Sequence, residues 1–261
     1  MARPSVTSIP NRLAHASLAD VCRWITRYRD ILAKLSVPPK LSATEMIVKL
    51  FPDATATEAE SCRLEFLRDY EFANTLQEKT VLRRRRGVAW RDWNEFLYMA
   101  IRFAKPRVVF ETGVFDGQSS AIILRALEKN RDGELVSIDL PATETIQGST
   151  NFMPETTLPP GCQPGWLVPD SLRDKYHLAL GDSRELLPKL LQKYHSIDVF
   201  FHDSLHTFEH MYFEYRTAWP CLSEGGLLLS DDISWNRAFH QFSKEAQRRY
   251  VRMEGFGAVR K

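Results

Sequence analysis

Acidic residues end three successive predicted strands of this 261-residue chain. Glu111 opens the segment 111–119, Asp139 ends the next strand, and Asp182 ends the third. In open α/β sheets, ligands bind outside the carboxyl ends of the strands, where a carboxylate accepts hydrogen bonds from a ribose diol. These positions predict that Asp139 binds a ribose and that Asp182 binds an adenine amino group. Alternatively, each aspartate caps the helix that follows it.

Two glycines lie in the segment 111–119, between the first predicted strand and the helix after it. Gly113 permits a sharp turn, and Gly117 allows the backbone to come close to a ligand. An ordinary turn between a strand and a helix favours the same residues, so the pair alone is a weak signal. The three-glycine fingerprint of NAD enzymes is missing from this segment,.

A second acidic group follows the fourth and fifth predicted strands. Asp203 comes after the fourth strand, and Asp231 and Asp232 come after the fifth. Neighbouring strands lie about 4.8 Å apart, so these carboxylates are expected to share one small volume. Crowded carboxylates repel each other unless a cation or protons compensate, and oxygen ligands favour Mg²⁺, Mn²⁺ or Ca²⁺. The alternative is that Asp231 or Asp232 caps a helix and Asp203 contacts only a cofactor.

His206 follows Asp203 by three residues, near the start of the next predicted helix. An imidazole is a suitable general base near neutral pH, so the position predicts a catalytic role for His206, with Asp203 beside it. The alternative is a surface or capping histidine. His202, His206 and His210 are also spaced by fours, but a zinc helix is disfavoured because His202 ends a strand.

The elements that position these residues are strands and helices in alternation. Apolar runs alternate with segments of helical period, which is typical of βαβ units around a parallel sheet. Predicted strands cover 108–110, 135–138, 177–179, 197–201 and 227–229, predicted helices cover 119–129, 183–194, 207–219 and 236–248, and a hairpin covers 250–260.

The first 85 residues have helical signals and no strand signal. Helices are predicted over 18–35, over 43–50 with Ser42 as cap, and over 56–78, and a further helix over 91–103 leads into the first strand,. We therefore divide the chain into a helical extension, 1–85, and an α/β domain, 86–261.

One long segment, 140–171, holds six prolines and has no clear period. A loop of this length inside a compact domain is more often a lid or substrate loop than a plain connection, although a disordered insertion is the alternative. Trp166 in this segment and Trp235 flank the predicted cleft, either as core residues or as a cover for an apolar substrate. The run Arg83–Arg86 is either solvated surface or a grip for an anion.

Composition narrows the class of protein. The formal net charge is +2, which gives no reason to expect nucleic acid or an anionic membrane as partner,. The four cysteines form no CxxC pair and indicate reduced thiols in a cytoplasmic protein,. No signal peptide and no apolar run of about 18 residues is evident, so no membrane span is expected.

Taken as a set, these residues resemble class I methyltransferases that use S-adenosylmethionine (SAM), and within them the catechol-type and macrolide or sugar O-methyltransferase group (family 24-like). The resemblance covers about residues 80–261. It implies a Rossmann-like seven-stranded mixed sheet of order 3-2-1-4-5-7-6. The motifs are Phe110–Gly113 with Gly117 and Ser119, Ser137–Asp139, Gly181–Ser183, Asp203–His206, and Gly225–Gly226 leading into Ser230–Asp232.

The resemblance also implies roles for these positions. Glu111, Gly113, Gly117 and Ser119 line the methionine side of SAM; Asp139 takes the ribose, Asp182 takes the adenine end, and Asp203 also contacts the cofactor. Asp203, Asp231 and Asp232 hold a divalent metal such as Mg²⁺, and His206 is the base. Catechol-type enzymes have lysine and asparagine where this chain has His206 and Asp232, which leaves metal dependence and substrate open.

The implied activity is O-methylation of a hydroxyl on a small molecule such as a sugar, a glycoside or another natural product. Two other classes remain: a SAM-fold protein that binds without catalysis, and an NAD-dependent oxidoreductase, against which the missing glycine argues. A homo-oligomer formed through the N-terminal helices is also an expectation.

Overall fold

The computed structural model describes residues 37–82, 88, 90–141 and 158–261. The chain divides into two compact units, Met1–Pro39 and Lys40–Lys261, and the fold given below is that of the second unit. The predicted helix 18–35 and the run Arg83–Arg86 lie outside the described residues. In the described part of the chain, no helix is long and apolar enough to cross a membrane.

Seven strands form one sheet in the order β3-β2-β1-β4-β5-β7-β6, which confirms the predicted order. Strands β1 to β5 are parallel, and β7 runs antiparallel to both β5 and β6. The bounds are β1 Val108–Thr112, β2 Glu134–Asp139, β3 Tyr176–Leu180, β4 Ile197–His202, β5 Leu222–Ser230, β6 Val251–Met253 and β7 Phe256–Arg260.

Helices precede the sheet and connect its strands. In the part of the chain that the structure describes, four lie before β1: α1 Ala43–Leu50, α2 Ala56–Leu67, α3 Tyr70–Leu82 and α4 Asp92–Ala104. The others are α5 Gln118–Asn130, α6 Ser183–Tyr194, α7 Phe208–Ala218 and α8 Ala238–Glu245, with a 3-10 helix at Asp170–Lys175. The predicted cap of α1 is confirmed, because Ser42 and Glu45 form a reciprocal capping box,.

The single helix predicted over 56–78 is wrong, because the structure has two helices there. Asp69 lies between α2 and α3, and its carboxylate accepts a hydrogen bond from the backbone N–H of Phe72 at 3.3 Å. The same carboxylate accepts two hydrogen bonds from Arg125 of α5, at 2.7 and 2.9 Å. A capping aspartate that is held by a tertiary ion pair starts a new helix where periodicity alone predicts continuation.

Both faces of the sheet are buried, as expected for a parallel sheet between helical layers. Val109 and Phe201 face the core formed with α1 to α5. Their neighbours Phe110 and Phe200 face the core formed with α6 to α8. Helices α1 to α3 therefore pack into the same core as α4 and α5. The predicted domain boundary at residue 85 stays a prediction.

Candidate functional site

The carboxyl ends of β1 and β4 are in direct backbone contact. Gly113, which follows β1, has φ +82°, and a Cβ atom added there would lie 2.0 Å from the carbonyl oxygen of Asp203. The N–H of Asp203 donates to the carbonyl oxygen of Thr112 at 2.8 Å. Gly113 thus supplies the turn that the sequence predicted, and it also lets the loop after β4 close against the loop after β1.

Asp139, at the end of β2, binds the loop that follows β1. Its Oδ2 accepts hydrogen bonds from the N–H groups of Val114 and Phe115 at 3.0 and 2.7 Å. Its Oδ1 accepts from the N–H of Leu140 at 2.7 Å. The carboxylate therefore lies at the strand end where it was expected and holds the loop in place, while its contact with a ribose stays a prediction.

Glu111 is fully buried beneath this loop. Its carboxylate accepts hydrogen bonds from Ser119 at 2.6 Å, from Ser120 at 2.5 Å and from Ser137 at 2.6 Å. Burial raises the pKa of Glu111 to about 7, and the three hydroxyls oppose that rise. Glu111 and Ser119 therefore bind each other beneath the predicted methionine site, and their contact with the cofactor stays a prediction.

Asp182 caps α6, the alternative that the sequence left open. Its Oδ1 accepts the N–H of Arg184 at 2.8 Å, and the residue is exposed. The cap uses only one of the two carboxylate oxygens, so it is compatible with a contact between Asp182 and adenine. That contact stays a prediction.

The described end of the long segment 140–171 lies against the loop after β1. The N–H groups of Gly165 and Leu167 donate to the carbonyl oxygens of Phe115 and Asp116, both at 2.9 Å. The indole Nε1 of Trp166 donates to Asp116 Oδ1 at 2.6 Å. A Cβ added at Gly117 would lie 2.7 Å from the Cα of Gly165. Gly117 thus allows two backbone segments to meet, and Trp166 packs partly buried beside them.

The predicted catalytic group comes together at the ends of β4 and β5. His206 Nε2 lies 3.7 Å from Asp203 Oδ1, and His206 Nδ1 lies 3.9 Å from Asp232 Oδ2. The ring of Trp235, which is 68% exposed, has its centroid 5.3 Å from that of His206. The imidazole therefore lies between two carboxylates and beneath an exposed aromatic side chain.

Burial and mutual repulsion control the ionisation of this group. The pKa of Asp203 is raised well above its usual range by burial and by the neighbouring Asp231, Glu111 and Asp232 carboxylates. The pKa of Asp231 rises to about 6, through burial and the Asp232 charge. Burial lowers the pKa of His206 to about 4, so its ring is neutral at pH 7 and free to accept a proton,.

The structure gives one observation for the predicted metal site and one against it. Asp203, Asp231 and Asp232 are close enough to raise one another's pKa values. Yet within residues 37–82, 88, 90–141 and 158–261, no three His, Cys, Asp or Glu side chains are arranged to hold a metal ion. Zinc is disfavoured as well, because His202 and His210 bind Glu214 at 2.6 and 2.9 Å instead of facing a shared ion.

Glu214, on α7, is a site residue that the sequence patterns did not single out. Its side chain is fully buried below the acidic group. The signal in the sequence is a glutamate between Met211, Tyr215 and Ala218, in the apolar stripe of α7, four residues after His210. A charged residue in the buried stripe of a helix indicates a buried polar partner, because an unpaired buried charge is costly.

Comparison with known proteins agrees with this geometry. A family model described as Methyltransferase domain (methyltransferase family 24) matches residues 110–233. The SAH-bound methyltransferase PaMTH1 from Podospora anserina has a TM-score of 0.50 and 15% identity, over 71% of this chain and 87% of that chain. A proposed O-methyltransferase from Klebsiella pneumoniae has a TM-score of 0.50 and 14% identity, over 72% and 89% of the two chains. A comparison with curated proteins found no match.

The order of the strands and the likeness to a solved methyltransferase together define a class I methyltransferase fold. Residues 110–233, which run from β1 to the residue after Asp232, match the family model described as Methyltransferase domain. The resemblance to SAM-dependent methyltransferases predicted from the motifs is thereby confirmed.

Proposed function

We propose that the protein transfers the methyl group of SAM to a hydroxyl oxygen of a small-molecule acceptor, with His206 as general base. The observation that carries this proposal is the position of His206 between Asp203 and Asp232 at the ends of β4 and β5. SAM supplies a methyl group on a sulfonium, already a good leaving group. The remaining tasks of the protein are to align the acceptor oxygen behind that methyl and to remove its proton.

His206 is suited to remove that proton. Its ring is neutral at pH 7 because burial lowers its pKa. The carboxylate of Asp232, 3.9 Å from Nδ1, lies close enough to stabilise the imidazolium that forms when the hydroxyl proton moves to His206,. The oxygen then forms its bond to the methyl carbon, and the electrons of the broken carbon–sulfur bond stay on sulfur.

The acceptor class that we propose is a sugar, a glycoside or another small hydroxylated natural product. Large exposed apolar side chains follow three strands at the cleft mouth: Phe115 after β1, Leu205 after β4 and Trp235 after β5. An aromatic face beside a base favours an acceptor with a ring that stacks and a hydroxyl that reaches the base. Incubating the purified protein with labelled SAM and a cell extract, followed by mass spectrometry of labelled metabolites, tests this class. Absence of any labelled product would favour a SAM-binding protein without catalysis.

The cofactor part of the proposal places the SAM ribose on Asp139. Asp139→Ala is expected to weaken SAM binding by about 10- to 150-fold, because a hydrogen bond to a charged group contributes about 1.5–3 kcal/mol. Calorimetry with SAM measures this change, and Asp174→Ala, in the 3-10 helix, is the control. SAM affinity within twofold of the wild type would contradict the ribose contact. Thermal unfolding of both variants shows whether the loop amides of Val114 and Phe115 are disturbed as well.

The metal part of the proposal rests on the chemistry of the acidic group. Carboxylate oxygens suit a hard divalent cation, and a cation would offset the burial and the mutual repulsion that raise the pKa values of Asp203 and Asp231,. Asp203, Asp231 and Asp232 would hold such an ion, which would lower the pKa of an acceptor hydroxyl.

EDTA is therefore expected to abolish turnover, and Mg²⁺ or Mn²⁺ is expected to restore it. Asp231→Asn should weaken the restoration, because it removes one charged ligand and leaves the side-chain volume unchanged. Full activity in EDTA would contradict the metal proposal. The three carboxylates would then contact the cofactor, cap helices or pair with His206 without a metal ion.

A further inference from the structure

Glu214 joins the carboxyl ends of the strands below the proposed catalytic group. Its carboxylate is fully buried and accepts hydrogen bonds from five side chains. These are Thr112 at the end of β1 (2.5 Å), Ser183 at the start of α6 (2.5 Å), His202 at the end of β4 (2.6 Å), Ser204 in the next loop (3.1 Å) and His210 on α7 (2.9 Å).

The network keeps Glu214 charged in spite of its burial. The neighbouring imidazoles of His202 and His210, through charge and hydrogen bonds, hold the pKa of this carboxyl well below its usual range, although burial opposes them. A buried carboxylate saturated by donors from several elements fixes those elements relative to one another, because each lost donor would leave an uncompensated charge.

His202 connects this network to His206. Glu214 accepts a hydrogen bond from Nδ1 of His202, which sets the orientation of that ring in the way a buried carboxylate orients an imidazole elsewhere,. The His202 ring then stands edge-on to the His206 ring, with centroids 5.4 Å apart and planes at 83°. The Nε2 atoms of both rings are buried and have no hydrogen-bond partner among the described residues, so the two rings present polar atoms beside the cleft.

We propose that Glu214 is a positioning residue for methyl transfer. It holds His202 by Nδ1 and Ser204 by its hydroxyl, one residue on each side of Asp203, and thereby fixes the loop that carries Asp203 and His206. This inference rests on the proposed function, because it assigns Glu214 an effect that passes through His206. Glu214 itself touches neither acceptor nor SAM in this assignment.

Glu214→Gln preserves the side-chain volume but replaces one acceptor oxygen with an amide that donates. It is expected to lower kcat by about 10- to 100-fold, since a shift of about 1 Å in a catalytic group costs up to about 100-fold. The dissociation constant for SAM should stay within about twofold, because the network lies under the His206 loop and Asp139 lies on the other side of β1. Calorimetry with SAM and steady-state kinetics measure the two quantities.

The decisive measurement is a double-mutant cycle with His206→Ala. If Glu214 acts through His206, Glu214→Gln should lower kcat less than about twofold in the His206→Ala background. A full additional loss there would make Glu214 a structural residue and overturn the proposal. An unchanged kcat of Glu214→Gln in the wild-type background would overturn it too. If His206→Ala retains wild-type activity, the base assignment fails instead, so the two failures are distinguishable.

Two further variants separate an effect on kcat from an effect on folding. Asp69→Asn breaks the half-buried ion pair with Arg125 far from the cleft, so it is expected to lower thermal stability without changing kcat. Ser204→Ala removes only the longest contact of Glu214, at 3.1 Å, and is expected to fold and to lower kcat by about 3- to 10-fold. If Glu214→Gln does not fold, Ser204→Ala decides: an unchanged kcat would overturn the proposal.

Discussion

Replacing His206 with alanine is expected to lower kcat by about 10²- to 10⁴-fold, the usual contribution of a positioned general base. The reason is the position of the ring, with Asp203 Oδ1 3.7 Å from Nε2 and Asp232 Oδ2 3.9 Å from Nδ1. Without the imidazole, the acceptor proton loses its proposed base, and Asp203 is a poor replacement at neutral pH because burial and neighbouring carboxylates raise its pKa well above the usual range. Steady-state kinetics with a saturating acceptor measure the loss.

Binding of SAM to the His206→Ala protein should remain within about twofold of the wild type. His177→Ala is the matched control, since His177 is an exposed histidine of β3 that pairs with Glu134 outside the cleft. A kcat loss of less than about tenfold in His206→Ala would make His206 structural and leave deprotonation to a metal or to water.

The pH profile of the wild-type protein is a second test of His206 as the base. Burial lowers the pKa of His206 to about 4, so the ring is neutral, and active as a base, at pH values above that. The wild-type kcat should therefore hold between pH 8 and about pH 5 and fall as the pH drops toward 4, as long as circular dichroism shows folded protein. A loss centred near pH 6.5, the ordinary value for histidine, would show that the ring is more solvated than the structure indicates.

Gly113→Ala is expected to abolish measurable SAM binding and to lower the stability of the fold. An alanine at φ +82° costs about 1–2 kcal/mol, and its Cβ would lie 2.0 Å from the carbonyl oxygen of Asp203,. The clash is with backbone, so the loops after β1 and β4 must separate, at a further cost of about 1–3 kcal/mol. Calorimetry and thermal unfolding measure the two losses, and the separation also displaces His206 from its place in the cleft.

Gly161→Ala separates backbone strain from the clash. Gly161 has φ +74°, close to the angle at Gly113, but an added Cβ there meets no atom of the described residues within 4 Å. It should therefore show the strain alone, about 1–2 kcal/mol of stability, with SAM affinity unchanged. Equal effects of the two substitutions on SAM binding would contradict the claim that contact between the loops after β1 and β4 shapes the site.

The sequence by itself determined that a parallel sheet lies between helical layers and on which side of it the site lies, whereas the order of the strands followed from the resemblance to class I methyltransferases. Val109 and Phe110, like Phe200 and Phe201, are apolar on both faces, as in a strand buried between helical layers. Parallel strands direct their carboxyl ends to the same edge, so Asp139, Asp203 and Asp231 were expected at one edge of the sheet, with Asp203 and Asp231 close together. Local pattern and chain direction are sufficient for placing these residues.

Only the tertiary structure decided what the polar residues at that edge contact. Asp139, whose contact with a ribose stays a prediction, also accepts hydrogen bonds from loop N–H groups, and Gly117, whose approach to a ligand stays a prediction, lies against Gly165. Glu214 went unnoticed because two of its partners, Thr112 and Ser183, lie far from it in the chain. Hydrogen bonds and close backbone contacts of this kind require the distance between two segments to be correct to within a few tenths of an ångström. The local periodicity of a sequence does not contain that information when the segments are distant in the chain.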